Sequence, residues 1–177
     1  MKIGFDVDGV LYPWHYSIHR YFKELKGYEG DESRFWKEKA KQISEEEWSY
    51  LVTIPILYED TAPIYRTKEY LDMFSEKANL FYITSRPKEL ARITEKFLKK
   101  LDAPFKENLF IAEDKAPVVR LLSLDYYVDD QARHLERLKG ITNVFLYTQP
   151  HNTDCREEYN CIRSLGEMYE RIFNAKS

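Results

Sequence analysis

From residue 79 onward, short apolar runs alternate with helical patterns, and this rhythm limits the fold more than any other feature of the chain. The runs are NLFYIT (79–84), NLFIAE (108–113), DYYVDD (125–130) and NVFLYT (143–148), and a further run, KIGFDV (2–7), opens the sequence. Each is too short for a helix and is bounded by polar residues, which reads as a buried strand. Between them lie PKELARITEKFLKKL, with Pro87 at a helix start, then DKAPVVRLLSL, then QARHLERLKG, which ends at Gly140; IRSLGEMYERIF closes the chain as a last helix. Strands and helices in such alternation build parallel sheets, because each crossover needs a helix to return the chain.

The expected architecture is therefore α/β: a Rossmann-like parallel five-stranded sheet with helices on both faces. The rhythm fails from about residue 13 to about residue 65, where HYSIHRYFKELK, ESRFWKEKAKQI and EEEWSYLVTI offer helical patterns only. The last is preceded by Ser44 and carries Glu47, the spacing of a capping box. TAPIYRTKEYLDMFSEKA then leads into the second strand. This divides the chain into an α/β core domain, residues 1–12 and 66–177, and a small helical cap, residues 13–65, inserted after the first strand.

Ligands of a doubly wound sheet bind beyond the carboxyl ends of its strands. Asp6 and Asp8 follow the first strand; Thr84, Ser85 and Arg86 the second; Glu113, Asp114 and Lys115 the third; Asp129 and Asp130 the fourth. Polar groups at four strand ends should converge. Crowded carboxylates repel, and a hard cation with oxygen ligands, such as Mg²⁺, relieves the repulsion while suiting a phosphate. Thr84 or Ser85 can donate a hydroxyl to that phosphate, and Lys115 can offset its charge. Asp6 is then free to attack phosphorus. Asp8 can protonate the leaving oxygen and later deprotonate water.

The segments DVDGVL, YITS, DK and VDD, in this order, resemble the four motifs of the haloacid dehalogenase superfamily of phosphohydrolases. The pattern is most similar to the 5′(3′)-deoxyribonucleotidase type, over essentially the whole chain. A calcium loop, which also begins D-x-D-G, would need glycine where this chain has Leu11. The resemblance implies Asp6 as nucleophile and Asp8 as acid/base. It implies Mg²⁺ held by Asp6, the Asp8 carbonyl and one of Asp129 or Asp130, with the family pattern favouring Asp130. Thr84, Ser85 and Lys115 would bind phosphate. Trp14 falls where such enzymes place an aromatic under the base, with Phe35 and Trp36 as further counterparts in the cap. The second aspartate and the acidic pair suit phosphorus chemistry rather than dehalogenation.

The implied function is a Mg²⁺-dependent phosphatase acting on a small phosphomonoester, a (deoxy)nucleoside 5′-monophosphate, through an aspartyl-phosphate intermediate. The competing readings are a polynucleotide-end or sugar-phosphate phosphatase and a non-catalytic phospholigand-binding module. Net charge −3 and a pI near 5.9 oppose bulk binding of duplex nucleic acid. No run of 18 apolar residues suggests a membrane span, and the N-terminus lacks a secretory pattern, so the expected location is the cytoplasm. Cys155 and Cys161 read as thiols in a reducing compartment; with His151 they lack the fourth ligand and the spacing of a zinc site.

Several residues read as ordinary. Phe35, Trp36, Trp48 and Tyr50 have the helical spacing of packing residues, and Trp14 serves equally as cap core. Arg86 reads as a surface residue. His15, His19 and His134 carry no expected chemistry. TQPHN (148–152) follows the fifth strand and reads as rim of the site.

Overall fold

The computed structural model describes residues 1–59, 61–153 and 158–174. Its centre is an all-parallel sheet in the order β3-β2-β1-β4-β5-β6. The strands are β1 (Lys2–Phe5), β2 (Asn79–Thr84), β3 (Leu109–Ile111), β4 (Tyr126–Asp129), β5 (Asn143–Tyr147) and β6 (Cys161–Ile162). The five expected strands are present. The sixth adds only two residues at the edge, Cys161 and Ile162, paired with Leu146 and Tyr147. Two residues carry no periodicity to read, so the segment passes for the start of the final helix. That helix begins later: Ser164 caps it by accepting from the Glu167 N–H at 3.1 Å, and α8 (Leu165–Tyr169) continues into a π-type turn, Glu170–Asn174.

β1 is one of the two central strands. It pairs with β2 from Lys2↔Asn79 to Phe5↔Tyr82 and with β4 from Ile3↔Tyr126 to Phe5↔Val128. Neighbours press on it closely: a Cβ at Gly4 would lie 2.5 Å from Leu124 Cδ1 and 2.6 Å from Tyr127 Cδ2, so only glycine fits. The helices α4 (Thr67–Ser75), α5 (Ala91–Lys100) and α8 help bury one face, with Leu71, Phe74, Leu98 and Met168 in its core. α6 (Ala116–Leu122) and α7 (Ala132–Leu138) cover the other through Val119, Leu135 and Leu138, packed with Ile83, Tyr127 and Leu146. Fully burying one such side chain stabilises a fold by about 1.5–3 kcal/mol.

The helical insert follows β1 directly. It contains α1 (Trp14–Leu25), α2 (Glu32–Arg34), α3 (Glu45–Leu51) and a 3₁₀ turn, Pro55–Tyr58. α2 is capped by Asp31, which accepts from the Arg34 N–H at 2.8 Å, and runs on into a π-turn over Phe35–Lys39 and a 3₁₀ turn over Ala40–Gln42. The wide turn lets adjacent Phe35 and Trp36 both face inward, where both are buried. Ser44 caps α3 by accepting from the Glu47 N–H at 3.1 Å, as the capping-box spacing predicts. The Tyr12 hydroxyl donates to the Leu57 carbonyl at 2.9 Å, and the Ile64 N–H donates to the Leu11 carbonyl at 2.9 Å, which ties both ends of the insert to the first turn. Among the described residues, no helix is long and apolar enough to cross a membrane. Cys155 lies outside the described residues, and so does the reading that it forms no zinc site.

Candidate active site

β1 delivers Asp6 into the sheet's carboxyl edge, where its N–H still bonds to the Val128 carbonyl at 2.9 Å. The chain then turns at once. The N–H groups of Leu11 and Tyr12 donate to the Val7 carbonyl at 2.9 and 2.8 Å, and that of Gly9 donates to the Tyr12 carbonyl at 2.7 Å. Gly9 has φ +75°, and a Cβ there would sit 1.9 Å from Asp130 Oδ2. The glycine of DVDG is thus required twice, by its left-handed backbone and by the carboxylate pressed against it.

Asp6, Asp129 and Asp130 each place a carboxylate oxygen within 4.8 Å of the others, and all three are buried. Lys115, buried at the start of α6, joins them: its Nζ lies 2.8 Å from Asp6 Oδ1 and 2.7 Å from Asp129 Oδ2. Three carboxylates against one ammonium leave two negative charges uncompensated in an all-oxygen pocket, which fits a hard divalent cation. The protein alone tolerates that charge poorly. Burial pushes the Asp6 carboxyl up to about 8, with Lys115 opposing and Asp129 and Asp8 adding to the rise. Burial, then Asp129 and Asp6, also hold Asp130 well above the carboxylate range. Burial would raise Asp129 too, but Lys115 and His134 outweigh it and bring its carboxyl to about 2.

The acidic pair differs in its partners. Asp129 accepts from Lys115, from the Gln131 N–H at 2.8 Å and from His134 Nδ1 at 3.1 and 3.3 Å. Asp130 has a looser neighbour, His151 Nε2, at 3.3 Å from its Oδ2. His134, expected to have no chemistry, therefore orients one of the acids. Its signal in the sequence is its place five residues after Asp129, on the first turn of α7.

Asp8 stands apart from this cluster, partly exposed and gripped by Arg86 through Nε at 2.8 Å and Nη2 at 2.6 Å. The structure corrects the surface reading of Arg86. The guanidinium is buried, its Nη1 donates to Thr94 Oγ1 at 3.1 Å, and its carbon lies 4.5 Å from the Tyr58 ring and 5.2 Å from the Tyr12 ring. Burial opposes its charge, yet the Asp8 carboxylate outweighs this and raises its pKa. Thr84 is buried and its Oγ1 accepts from the Arg86 N–H at 3.2 Å, while Ser85 is exposed beside it.

The loop after β5 clasps both acidic turns. Gln149 Nε2 donates to the Gly9 carbonyl at 2.5 Å, and Asn152 Nδ2 donates to the carbonyls of Asp130 at 2.8 Å and Tyr147 at 2.7 Å. Gln149 and Asn152 are buried, so this segment of TQPHN is a structural part of the site rather than loose rim.

The insert brings aromatics toward the same place. Trp36 stacks on Trp48 with centroids 6.0 Å apart and planes 13° apart, and Trp14 lies 5.9 Å from Trp48 and 6.4 Å from Trp36. Trp36 also meets the His151 ring at 5.5 Å. Phe35 faces the insert's own interior, with Phe22 at 5.0 Å, Tyr28 at 5.4 Å and His19 at 5.8 Å.

A parallel sheet with a helical insert after its first strand and acids at the strand ends is the haloacid dehalogenase-like fold. It is shared with a haloacid dehalogenase-like hydrolase of Streptococcus pneumoniae, at a TM-score of 0.64 and 18% identity over 97% of each chain. A haloacid dehalogenase-like protein of Agrobacterium tumefaciens shares it at a TM-score of 0.67 and 14% identity, over 97% of this chain and 96% of that one. Within this class the chain belongs to the family described as 5′ nucleotidase, deoxy (pyrimidine), cytosolic type C (NT5C), whose sequence model matches residues 1–177. It is also similar to a nucleotidase of Clostridium acetobutylicum, 26% identical over 186 residues, covering 98% of this chain and 95% of that one. The chain is thus a phosphomonoester hydrolase of a nucleotidase family.

Proposed function

We propose that this enzyme hydrolyses a (deoxy)nucleoside 5′-monophosphate through an aspartyl-phosphate on Asp6, with Mg²⁺ as its cation. The observation that carries this reading is the convergence of three strand ends: Lys115 Nζ within 2.8 Å of both Asp6 and Asp129, and Asp130 alongside. Asp6 attacks phosphorus, the bond to the leaving oxygen breaks, and Asp8 supplies the proton that oxygen needs; Asp8 then takes a proton from the water that releases phosphate. Arg86 holds Asp8 in place through two hydrogen bonds. Asp6, the Asp8 carbonyl and Asp130 would hold Mg²⁺, whose charge offsets that of the carboxylates and the phosphate. Asp130 is favoured over Asp129 because Lys115, His134 and Gln131 already occupy Asp129. Thr84, Ser85 and Lys115 are proposed to bind the phosphate.

We read residues 13–65 as a cap and its aromatics as the base-binding wall, with Trp14 and Trp36 toward the ligand and Phe35 backing Trp36 edge-on at 5.4 Å. The family description, with its cytosolic nucleotidases, supports a nucleotide substrate and a cytoplasmic location. The test is hydrolysis of p-nitrophenyl phosphate and of a nucleoside monophosphate panel, with Mg²⁺ and with chelator. Turnover should need the cation, favour nucleotides and vanish in Asp6→Asn. Appreciable turnover by Asp6→Asn would overturn the nucleophile assignment.

A further inference from the structure

His151 sits where the β5 loop meets the helical insert. On one side its Nε2 lies 3.2 Å from the Asp130 carbonyl and 3.3 Å from Asp130 Oδ2. A carbonyl only accepts, so Nε2 carries the ring proton and Nδ1 presents a lone pair. That Nδ1 is buried and has no hydrogen-bond partner. Trp36 lies beside the ring, 5.5 Å between centroids, and its indole Nε1, which can only donate, is also buried and unpartnered. One more such atom belongs to the same quarter. His15 Nδ1 lacks a partner, while its Nε2 faces Glu32 Oε1 at 3.3 Å, and His15 lies close enough to His151 for their charges to interact. Buried polar atoms are costly when left unpaired, so their gathering in one place points to a polar ligand.

The position defines which part of a ligand that is. His151 contacts Asp130 at one edge and Trp36 on its ring, so it spans the ground between the phosphate pole and the aromatic wall. In a nucleoside monophosphate, that ground belongs to the sugar. A hydroxyl is the smallest group that donates to an imidazole lone pair while accepting from an indole N–H. We propose that His151 is a specificity-determining residue whose Nδ1 accepts a hydrogen bond from a sugar hydroxyl of the substrate, with Trp36 Nε1 as the opposing donor. The assignment rests on the nucleotide reading above and adds the feature by which the nucleotide's sugar is selected.

The test compares kcat/KM on thymidine 5′-monophosphate and on its 3′-deoxy analogue, for the wild type and for His151→Phe. Phenylalanine keeps a flat ring beside Trp36 but offers no acceptor in place of Nδ1. The wild type should prefer the hydroxyl-bearing substrate by about tenfold, the worth of one such bond, and His151→Phe should bring the ratio near one. Equal wild-type rates on the two substrates would overturn the proposal without need of any variant. An unchanged ratio in His151→Phe would also overturn it. So would an equal loss on both substrates, which would make His151 only a support for Asp130. Hydrolysis of p-nitrophenyl phosphate with neither nucleotide turned over would instead fail the nucleotide reading, and this inference with it.

Discussion

Arg86 links two functions in one side chain. It grips Asp8 with two nitrogens, anchors to Thr94 with a third, and lies against the rings of Tyr12 and of Tyr58 in the insert. A planar guanidinium can do all of this at once, whereas an ammonium cannot. Arg86→Lys should therefore keep the charge and lose the orientation of Asp8. Turnover of substrates with poor leaving groups should fall by about tenfold to a hundredfold, less than the roughly 10²–10⁴-fold that an acid–base group contributes, because Asp8 is misplaced and not removed. The loss should shrink on p-nitrophenyl phosphate, whose leaving group needs little protonation. A leaving-group series checks this, and a uniform loss would reduce Arg86 to a structural role. Asp6, Lys115, Asp129 and Asp130 were legible in the sequence because each directly follows an apolar strand, and the fold brings strand ends together. Arg86 also follows a strand, but arginine there is commonly solvated. Its burial depends on Tyr58, twenty-eight residues earlier in an insert whose packing no local pattern encodes.

At the level of elements, the insert joins the first turn and places its tryptophans beside the β5 loop. Its helices were readable from their spacing and from the Ser44 cap. The π-turn at Phe35–Lys39 was not, since it changes the periodicity by one residue within an otherwise helical pattern. Both Phe35 and Trp36 are buried in that turn, Phe35 against Phe22 and Tyr28, and Trp36 against Trp48 and His151. Trp14 is the first residue of α1. Trp14→Ala should lose about tenfold to a hundredfold in kcat/KM on nucleotides, by the usual worth of base stacking, and much less on p-nitrophenyl phosphate. The ratio of the two substrates on one preparation removes any loss of folded enzyme. A parallel loss would mean that Trp14 serves packing against Trp48 and Trp36. The two-residue β6 escaped sequence reading for a different reason: its strand character comes from pairing with β5 and not from its own pattern.

For the whole molecule, the buried acids set how stability responds to pH. Asp6 titrates near 8 in the folded cation-free protein, against 3.8 for the unfolded chain, and Asp130 is shifted in the same direction. Groups raised in this way stabilise the fold most below their unfolded pKa, and the contribution is lost as pH rises toward 8. Asp129, lowered to about 2, acts oppositely, and its contribution is lost only as pH falls below about 4. The Tm of chelated protein should therefore decline from pH 5 to pH 8. Saturating Mg²⁺ should remove most of the decline, and Asp6→Asn should flatten it without metal. Scanning calorimetry across that range checks all three, and a flat profile for chelated wild type would contradict the burial of these charges. Ca²⁺ should restore stability yet inhibit turnover, because its longer and looser coordination does not preserve the geometry that displacement at phosphorus needs.

The central position of β1 has a consequence for the order of events during synthesis. Residues 2–5 emerge well before their partners, residues 79–82 on one side and 126–128 on the other. The strand must wait, unpaired on its far side, until residues 126–128 have been made. Asp6 meets Asp129 and Asp130 only then, so no nascent intermediate that stops short of them can hold the formed acidic cluster. Such distant pairing makes folding slow and leaves an apolar segment, KIGF, open to off-pathway association in the meantime. The acidic cluster is accordingly among the last features of the molecule to come into being, although Asp6 is made before every group it meets there.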